Sequence, residues 1–307
     1  MYCAHFGLTE QPFGLTPNTA YFLNTPGHLQ ALNMLRVALA NGEGFIKVVG
    51  EVGTGKTLLC RHLLNTLDSH FVSAYIPNPF LSPAAFFRAL AAELGAQLRT
   101  RDGINEYQKM ITEQLMAQVA AGRKVVLMVD EAQAMPEKTL EALRLLSNLE
   151  TETTKLIHIV LFGQPELDTL LARPGLRQLR QRISFSCLLT PLDRESVRQY
   201  VNHRLGKSGY NGVALFSPRA ITRLTKASGG IPRLINILAH KALMSAYGKG
   251  DKTISTAHIK AAIADTEDAC KSSWWQRVMP TWRLGLSAAA VLIAVCGVVV
   301  WWPGVVV

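Results

Sequence analysis

The sequence predicts an α/β domain with a parallel sheet flanked by helices, then an all-helical second domain and one C-terminal transmembrane helix. Three observations carry this reading. Apolar strands alternate with helical segments over residues 1–190, helical spacing alone follows over 191–268, and residues 284–302 contain no charge.

Gly44–Val49 is an apolar run ending in a glycine-rich turn, and Lys56–Leu67 follows as a helix with Leu58, Leu59, Leu63 and Leu67 inward. Phe71–Ile76 reads as a second strand, Ser82–Leu94 as a helix opened by a serine cap with Pro83 in its first turn, and Asn105–Ala121 as another helix. Val125–Val129 is apolar without alternation, which suits a central parallel strand covered on both faces. Pro136–Leu149 returns to helical spacing, Leu156–Phe162 is a fourth strand and Arg182–Leu188 a shorter fifth. Beyond Pro191 only helices are predicted: Asp193–Leu205, Ser217–Ala227, Pro232–Tyr247 and Ser255–Ala264, joined by turns such as Gly229-Gly230.

Apolar residues make up 49% of the chain and charged ones 18%, which is rich for a soluble enzyme. Residues 284–302 carry the surplus. As a helix they extend about 28 Å, close to the roughly 30 Å hydrocarbon core of a bilayer. Trp282 and Trp301-Trp302 flank this span at headgroup level, and Lys271, Arg277 and Arg283 all precede it, so the preceding domains are expected in the cytoplasm. Residues 269–283 then form a juxtamembrane linker and 303–307 a short periplasmic tail. Met1–Gly14 has neither a basic nor an apolar signal region, so no cleaved leader is expected.

The net charge of +10 is uneven: residues 1–190 hold 17 Lys/Arg against 16 Asp/Glu, whereas 191–270 hold 12 against 6. A basic helical domain suits anionic lipid headgroups, nucleic-acid phosphates or a plain solvated surface, and charge does not choose among them. The five cysteines are widely and irregularly spaced and the eight histidines lack zinc-site spacing, which predicts reduced thiols and no structural metal.

Gly50-Glu51-Val52-Gly53-Thr54-Gly55-Lys56-Thr57, with Leu58 next, joins the first strand to its helix. Residues without side chains let backbone N–H groups approach phosphates at the positive end of a helix. Lys56 is placed to neutralise the β and γ phosphates, and Thr57 to coordinate Mg²⁺ through its hydroxyl. Asp130 follows an apolar strand, so its carboxylate projects from the carboxyl end of the sheet and is expected to hold Mg²⁺. Glu131 is placed to polarise the attacking water. The expected cofactors are ATP and Mg²⁺.

This order of motifs resembles the AAA+ family of ATPases over almost all of residues 1–270. Phe162-Gly163-Gln164-Pro165-Glu166-Leu167 resembles the sensor-1 segment of the secretion-type subfamily that includes general secretion pathway protein A. That resemblance implies a contact of Gln164 with the γ-phosphate or its water. Gly230-Ile231-Pro232-Arg233 resembles the sensor-2 motif, implying that Arg233 couples nucleotide state to lid position. Arg177, Arg180 and Arg182 precede the fifth strand where AAA+ arginine fingers lie; Arg182 is favoured and Arg180 is next.

Phe6-Gly7-Leu8, the stretch from Pro12 to Pro17, and the run from Gly42 to Gly50 resemble most nearly the ATPases of mannose-sensitive haemagglutinin (MSHA) type IV pilus biogenesis. The resemblance implies a ring-forming ATPase on the bacterial inner membrane, acting on pilus or secretion assembly proteins. Secretion-type members carry a large peptidoglycan-binding segment after their span, and the short tail here implies no direct wall binding. Two alternatives stay open: a nucleic-acid-associated switch of the transposition or replication-loader type, and a nucleotide-gated scaffold with very slow turnover.

Overall fold

A computed structural model describes residues 2–99, 103–150, 154–267 and 269. Strands β1 (Phe45–Gly50), β2 (Phe71–Ile76), β3 (Lys124–Val129), β4 (Ile157–Gly163) and β5 (Ile183–Leu189) form one parallel sheet in the order β2-β3-β4-β1-β5. The three central strands are largely apolar on both faces because both are covered, with Lys124, Lys47 and His158 as the polar exceptions. Ile46, Val48, Val126, Met128, Val160 and Phe162 face helices α2 (Pro26–Ala40) and α3 (Lys56–Thr66). Phe45, Val49, Val125, Leu127, Ile159 and Leu161 face α4 (Pro83–Glu93), α5 (Ile104–Ala120) and α6 (Glu137–Leu146).

Register decides where the loops emerge. Val49 pairs with Gly163, and Val129 with both Leu161 and Ile76, so β1, β4 and β3 end side by side. The strands expected from the sequence are present within one residue of their predicted ends. The helix pattern is richer than expected. Helix α1 (Tyr2–Phe6) opens the chain, α2 precedes the sheet, and α7 (Glu166–Leu171) and α8 (Arg177–Arg182) fill the β4–β5 connection. α2 has a legible stripe, Ala31, Leu32, Leu35, Ala38 and Leu39, whereas α7 and α8 are too short to show a period. In α3 the inward face is Lys56, Leu59, Cys60 and Leu63; Leu58 and Leu67, expected inward, are half-buried because the sheet lies under the Cys60 side.

Helices α9 (Arg194–Lys207), α10 (Pro218–Ser228), α11 (Pro232–Lys249) and α12 (Thr256–Ala264) build a second core. The chain start joins it. Tyr2, Phe6, Leu8 and Phe13, expected with the α/β domain on sequence order, pack instead among Val197, Leu238 and Leu243. Buried Arg204 of α9 locks this strap: its guanidinium donates to the Pro12 and Gly14 carbonyls and to the Tyr200 hydroxyl at 3.0 Å, and lies 4.7 Å over the Tyr21 ring. The predicted linker, span and tail, 269–307, lie outside the described residues apart from Ala269. Among the described residues no helix is long and apolar enough to cross a membrane.

Replacing Arg204 with Met keeps the stem's packing but leaves the buried Pro12 carbonyl without its donor, whereas exposed Gly14 keeps Asn236, and is expected to cost about 1–3 kcal/mol. Urea unfolding followed by far-UV circular dichroism measures this; an unchanged midpoint would show the strap to be adventitious.

Candidate functional site

The turn after β1 is shaped by its glycines. A Cβ on Gly50 would meet Thr54 Oγ1 at 2.8 Å, and Gly53 and Gly55 adopt φ of +81° and +97°, where L side chains are strained. Thr54 closes the turn through its N–H and hydroxyl, both donating to the Glu51 carbonyl at 3.2 and 2.8 Å. Lys56 is only 4% exposed, and its Nζ donates to the Gly50 and Glu51 carbonyls at 2.8 and 3.0 Å. The ammonium therefore lies across the mouth of the loop. Burial lowers its pKa, and the nearby carboxylates of Glu131, Asp130, Glu51 and Glu166 act against that shift.

Asp130 is 2% exposed at the end of β3. Burial raises its pKa; hydrogen bonds from the Thr57 side chain and the Glu131 N–H (3.0 Å), and the charge of Lys56, oppose the rise. A carboxylate and a hydroxyl on adjoining elements are hard oxygen donors, the small protein share that Mg²⁺ takes when phosphates complete its shell. The residues present thus fit the cofactors the sequence implies, with Thr57 and Asp130 as the metal-side pair.

Glu131 occupies the left-handed region at φ 50°, the one non-glycine to do so among the described residues. Such a backbone costs of order 1 kcal/mol or more and persists where its surroundings over-determine it. Its Oε2 accepts from Gln133 Nε2 at 2.6 Å and from Gln164 Nε2 at 3.0 Å, while the Gln164 N–H donates to Gln133 Oε1 at 3.0 Å. Two amides thereby fasten Glu131 between the ends of β3 and β4. Gln133 was not singled out from the sequence: a glutamine two residues beyond Glu131 carries no signal until the turn folds it back.

Arg233 opens α11 directly on the loop. Its backbone N–H donates to the Gly53 carbonyl at 3.2 Å, and a Cβ on Gly53 would meet Arg233 Cβ at 2.8 Å. Gly230 allows this approach, because a Cβ there would lie 2.1 Å from the Leu192 carbonyl oxygen. Glu51 and Val52 are exposed on the loop and Leu58 half-buried behind it. Arg180 and Arg182 are not brought to the cradle. They precede the amino end of β5, whereas Gly50 pairs with Leu189 at its carboxyl end. Arg182 donates to Ser147 Oγ at 3.0 Å; Arg180 is exposed, and its side chain has no hydrogen bond or ion pair among the described residues.

Residues 39–171 match the family model described as an AAA domain. The chain is 39% identical over 302 residues to general secretion pathway protein A of Aeromonas hydrophila, a match covering 98% of this chain and 54% of that protein. It thus spans about half the length of the curated relative it matches. Among solved structures, the ORC2 protein of Aeropyrum pernix (ADPNP-ADP complexes) superimposes with a TM-score of 0.59 at 14% identity, covering 82% of this chain and 72% of that one. Cdc6p of Pyrobaculum aerophilum gives 0.61 at 17%, covering 80% and 69%. The RuvB Holliday junction branch migration motor of Thermotoga maritima gives 0.51 at 16%, covering 81% and 72%. At such identities the likeness carries the fold alone, an α/β P-loop AAA fold with a five-stranded parallel sheet flanked by helices.

The raised pKa of Asp130 has a sign that can be tested. The folded state holds this proton more tightly than the unfolded chain, so stability falls as pH rises from the ordinary carboxylate range through the folded value. Asp130→Asn is therefore expected to raise the melting temperature of the nucleotide-free protein at pH 7, with the gain shrinking at acid pH, and to abolish any Mg²⁺-dependent stabilisation by ATP. A lower melting temperature at pH 7 would contradict the desolvation account.

Proposed function

We propose that this chain is a membrane-anchored AAA+ ATPase that hydrolyses ATP to support assembly of a bacterial type IV pilus of the MSHA type, the MshM kind, or of a related type II secretion apparatus. The observation that carries the enzymatic part is the convergence of Lys56, Thr57, Asp130, Glu131 and Gln164 at the carboxyl ends of three adjacent strands. In this reading the loop amides and Lys56 bind the phosphates. Thr57 and Asp130 would hold Mg²⁺, which when bound would supply charge neutralisation to the phosphates. Glu131 takes the proton of the attacking water while Gln164 orients it.

Arg233 reports the nucleotide to the helical domain through the direct contact of α11 with Gly53. A ring of copies brings an arginine from a neighbour, and Arg180, exposed and with its side chain unengaged among the described residues, suits that part better than Arg182, which is tied to Ser147. This reverses the order favoured on sequence. The charge-free stretch 284–302 and the similarity to a protein named for general secretion support an inner-membrane location with the ATPase domain in the cytoplasm, and partners among pilus or secretion assembly proteins.

A second reading, a nucleic-acid-associated switch, has one observation in its favour. Arg219, Arg223 and Lys226 lie at i, i+4 and i+7 on the exposed side of α10 without acidic partners among the described residues, whereas Glu195, Asp251 and Asp265 are paired with Arg198, His258 and Lys241. Salt-sensitive binding of duplex DNA that is lost on neutralising these three cations would favour it; no binding at low salt would remove it.

Lys56→Ala is expected to abolish measurable ATP binding, and undiminished binding would sink the nucleotide assignment. Glu131→Gln should still bind ATP but hydrolyse it about 10²- to 10⁴-fold more slowly. Turnover per chain should rise with protein concentration if a neighbour completes the site; a flat dependence argues for a self-sufficient monomer.

A further inference from the structure

His28 lies behind the cradle, outside every role assigned above. It stands in the first turn of α2, whose cap is the buried Thr25. Its Nε2 is 3.1 Å from the Thr54 carbonyl oxygen and its Nδ1 is 2.7 Å from Thr25 Oγ1. A carbonyl oxygen can only accept, so Nε2 carries a hydrogen and donates it. In the neutral ring Nδ1 then accepts from the Thr25 hydroxyl. Burial holds the His28 pKa below the usual histidine value, against the opposing hydrogen bond to Thr54. The ring is walled by Phe22, edge-on at 5.6 Å, and Phe22 in turn stacks on His62 of α3 at 4.1 Å. The imidazole is thus held from three sides.

What it holds matters for the loop. The Thr54–Gly55 peptide is planar and trans, so its C=O and N–H point in opposite directions. Anchoring the Thr54 oxygen toward His28 turns the Gly55 N–H the other way, toward the concave side spanned by Lys56. That N–H has no protein acceptor among the described residues. Gly55 also lets the ring come this close: a Cβ there would lie 3.0 Å from His28 Nε2.

We infer that His28 is a positioning residue of the phosphate cradle: by hydrogen-bonding the Thr54 carbonyl it presents the Gly55 N–H to a nucleotide diphosphate. The inference rests on the nucleotide reading above. It differs from a space-filling role, in which ring volume matters and the donor does not.

The test is ADP affinity of the full chain by titration calorimetry in wild type, His28→Ala and His28→Gln. Loss of one net hydrogen bond predicts about tenfold weaker ADP binding in His28→Ala. His28→Gln, whose amide N–H can reach the place of Nε2–H, should recover most of it, with KM for ATP moving more than kcat. Equal affinity in His28→Ala, or an equal loss in both variants, overturns the inference. Nitrogen-15 NMR of the wild-type imidazole reads the same bond without any variant: the Nε2–H tautomer is expected, and the Nδ1–H tautomer overturns it even if His28→Ala fails to fold. A wild type that binds no ADP would remove the nucleotide reading itself, whereas failure confined to the variants or the tautomer removes only the role of His28.

Discussion

The parallel order β3-β4-β1 is the constraint on which the rest depends. Parallel pairing sends three neighbouring strands out of the sheet at one edge, and the register aligns Val129, Leu161, Val49 and Gly163 there. The glycine loop, the Asp130-Glu131 pair and Gln164 come from segments separated by up to about a hundred residues, yet they meet because each immediately follows its strand. A largely apolar set of side chains lets the central strands be covered on both faces. The same apolar runs that hold the core together therefore also aim the polar residues that follow them.

Burying charge at that edge has a cost, visible in Asp130 and Lys56, both almost fully buried and both shifted toward their neutral forms by desolvation. Neighbouring groups offset it in part: Thr57 and the Glu131 N–H on the carboxylate, loop carbonyls on the ammonium. The left-handed backbone at Glu131 adds strain, and the two glutamines over-determine its position. A polyanion with a divalent cation would complement this arrangement, since Lys56 and the loop amides gain an anion while Asp130 gains a cation. The cradle is thus preorganised for charge of both signs.

The helical domain is joined to the cradle at backbone level. Gly53 receives the first turn of α11, Gly230 lets that turn approach through Leu192, and Arg204 binds the chain start to the same domain. Any change in the loop that moves the Gly53 carbonyl is felt by α11, a helix whose inner face is packed through Leu234, Leu238 and Leu243. Transmission therefore needs no long chain of side chains.

The sequence by itself determined the alternation of strands and helices, the phosphate loop, the acidic pair and the basic helical half, because these are written in local periodicity and in the spacing of a few residue types. Gln164 and Arg233 were reached through resemblance. What tertiary structure alone decided are contacts between residues distant along the chain: Gln133 turned back onto Glu131, His28 beneath Thr54, Tyr2 and Phe13 in the helical core, and Arg182 engaged by Ser147. No local pattern encodes these, since each partner is chosen by where the sheet register and helix packing place it. The loop from Gly50 to Thr57 was legible as a motif, but the groups that hold its peptides in a binding geometry were not.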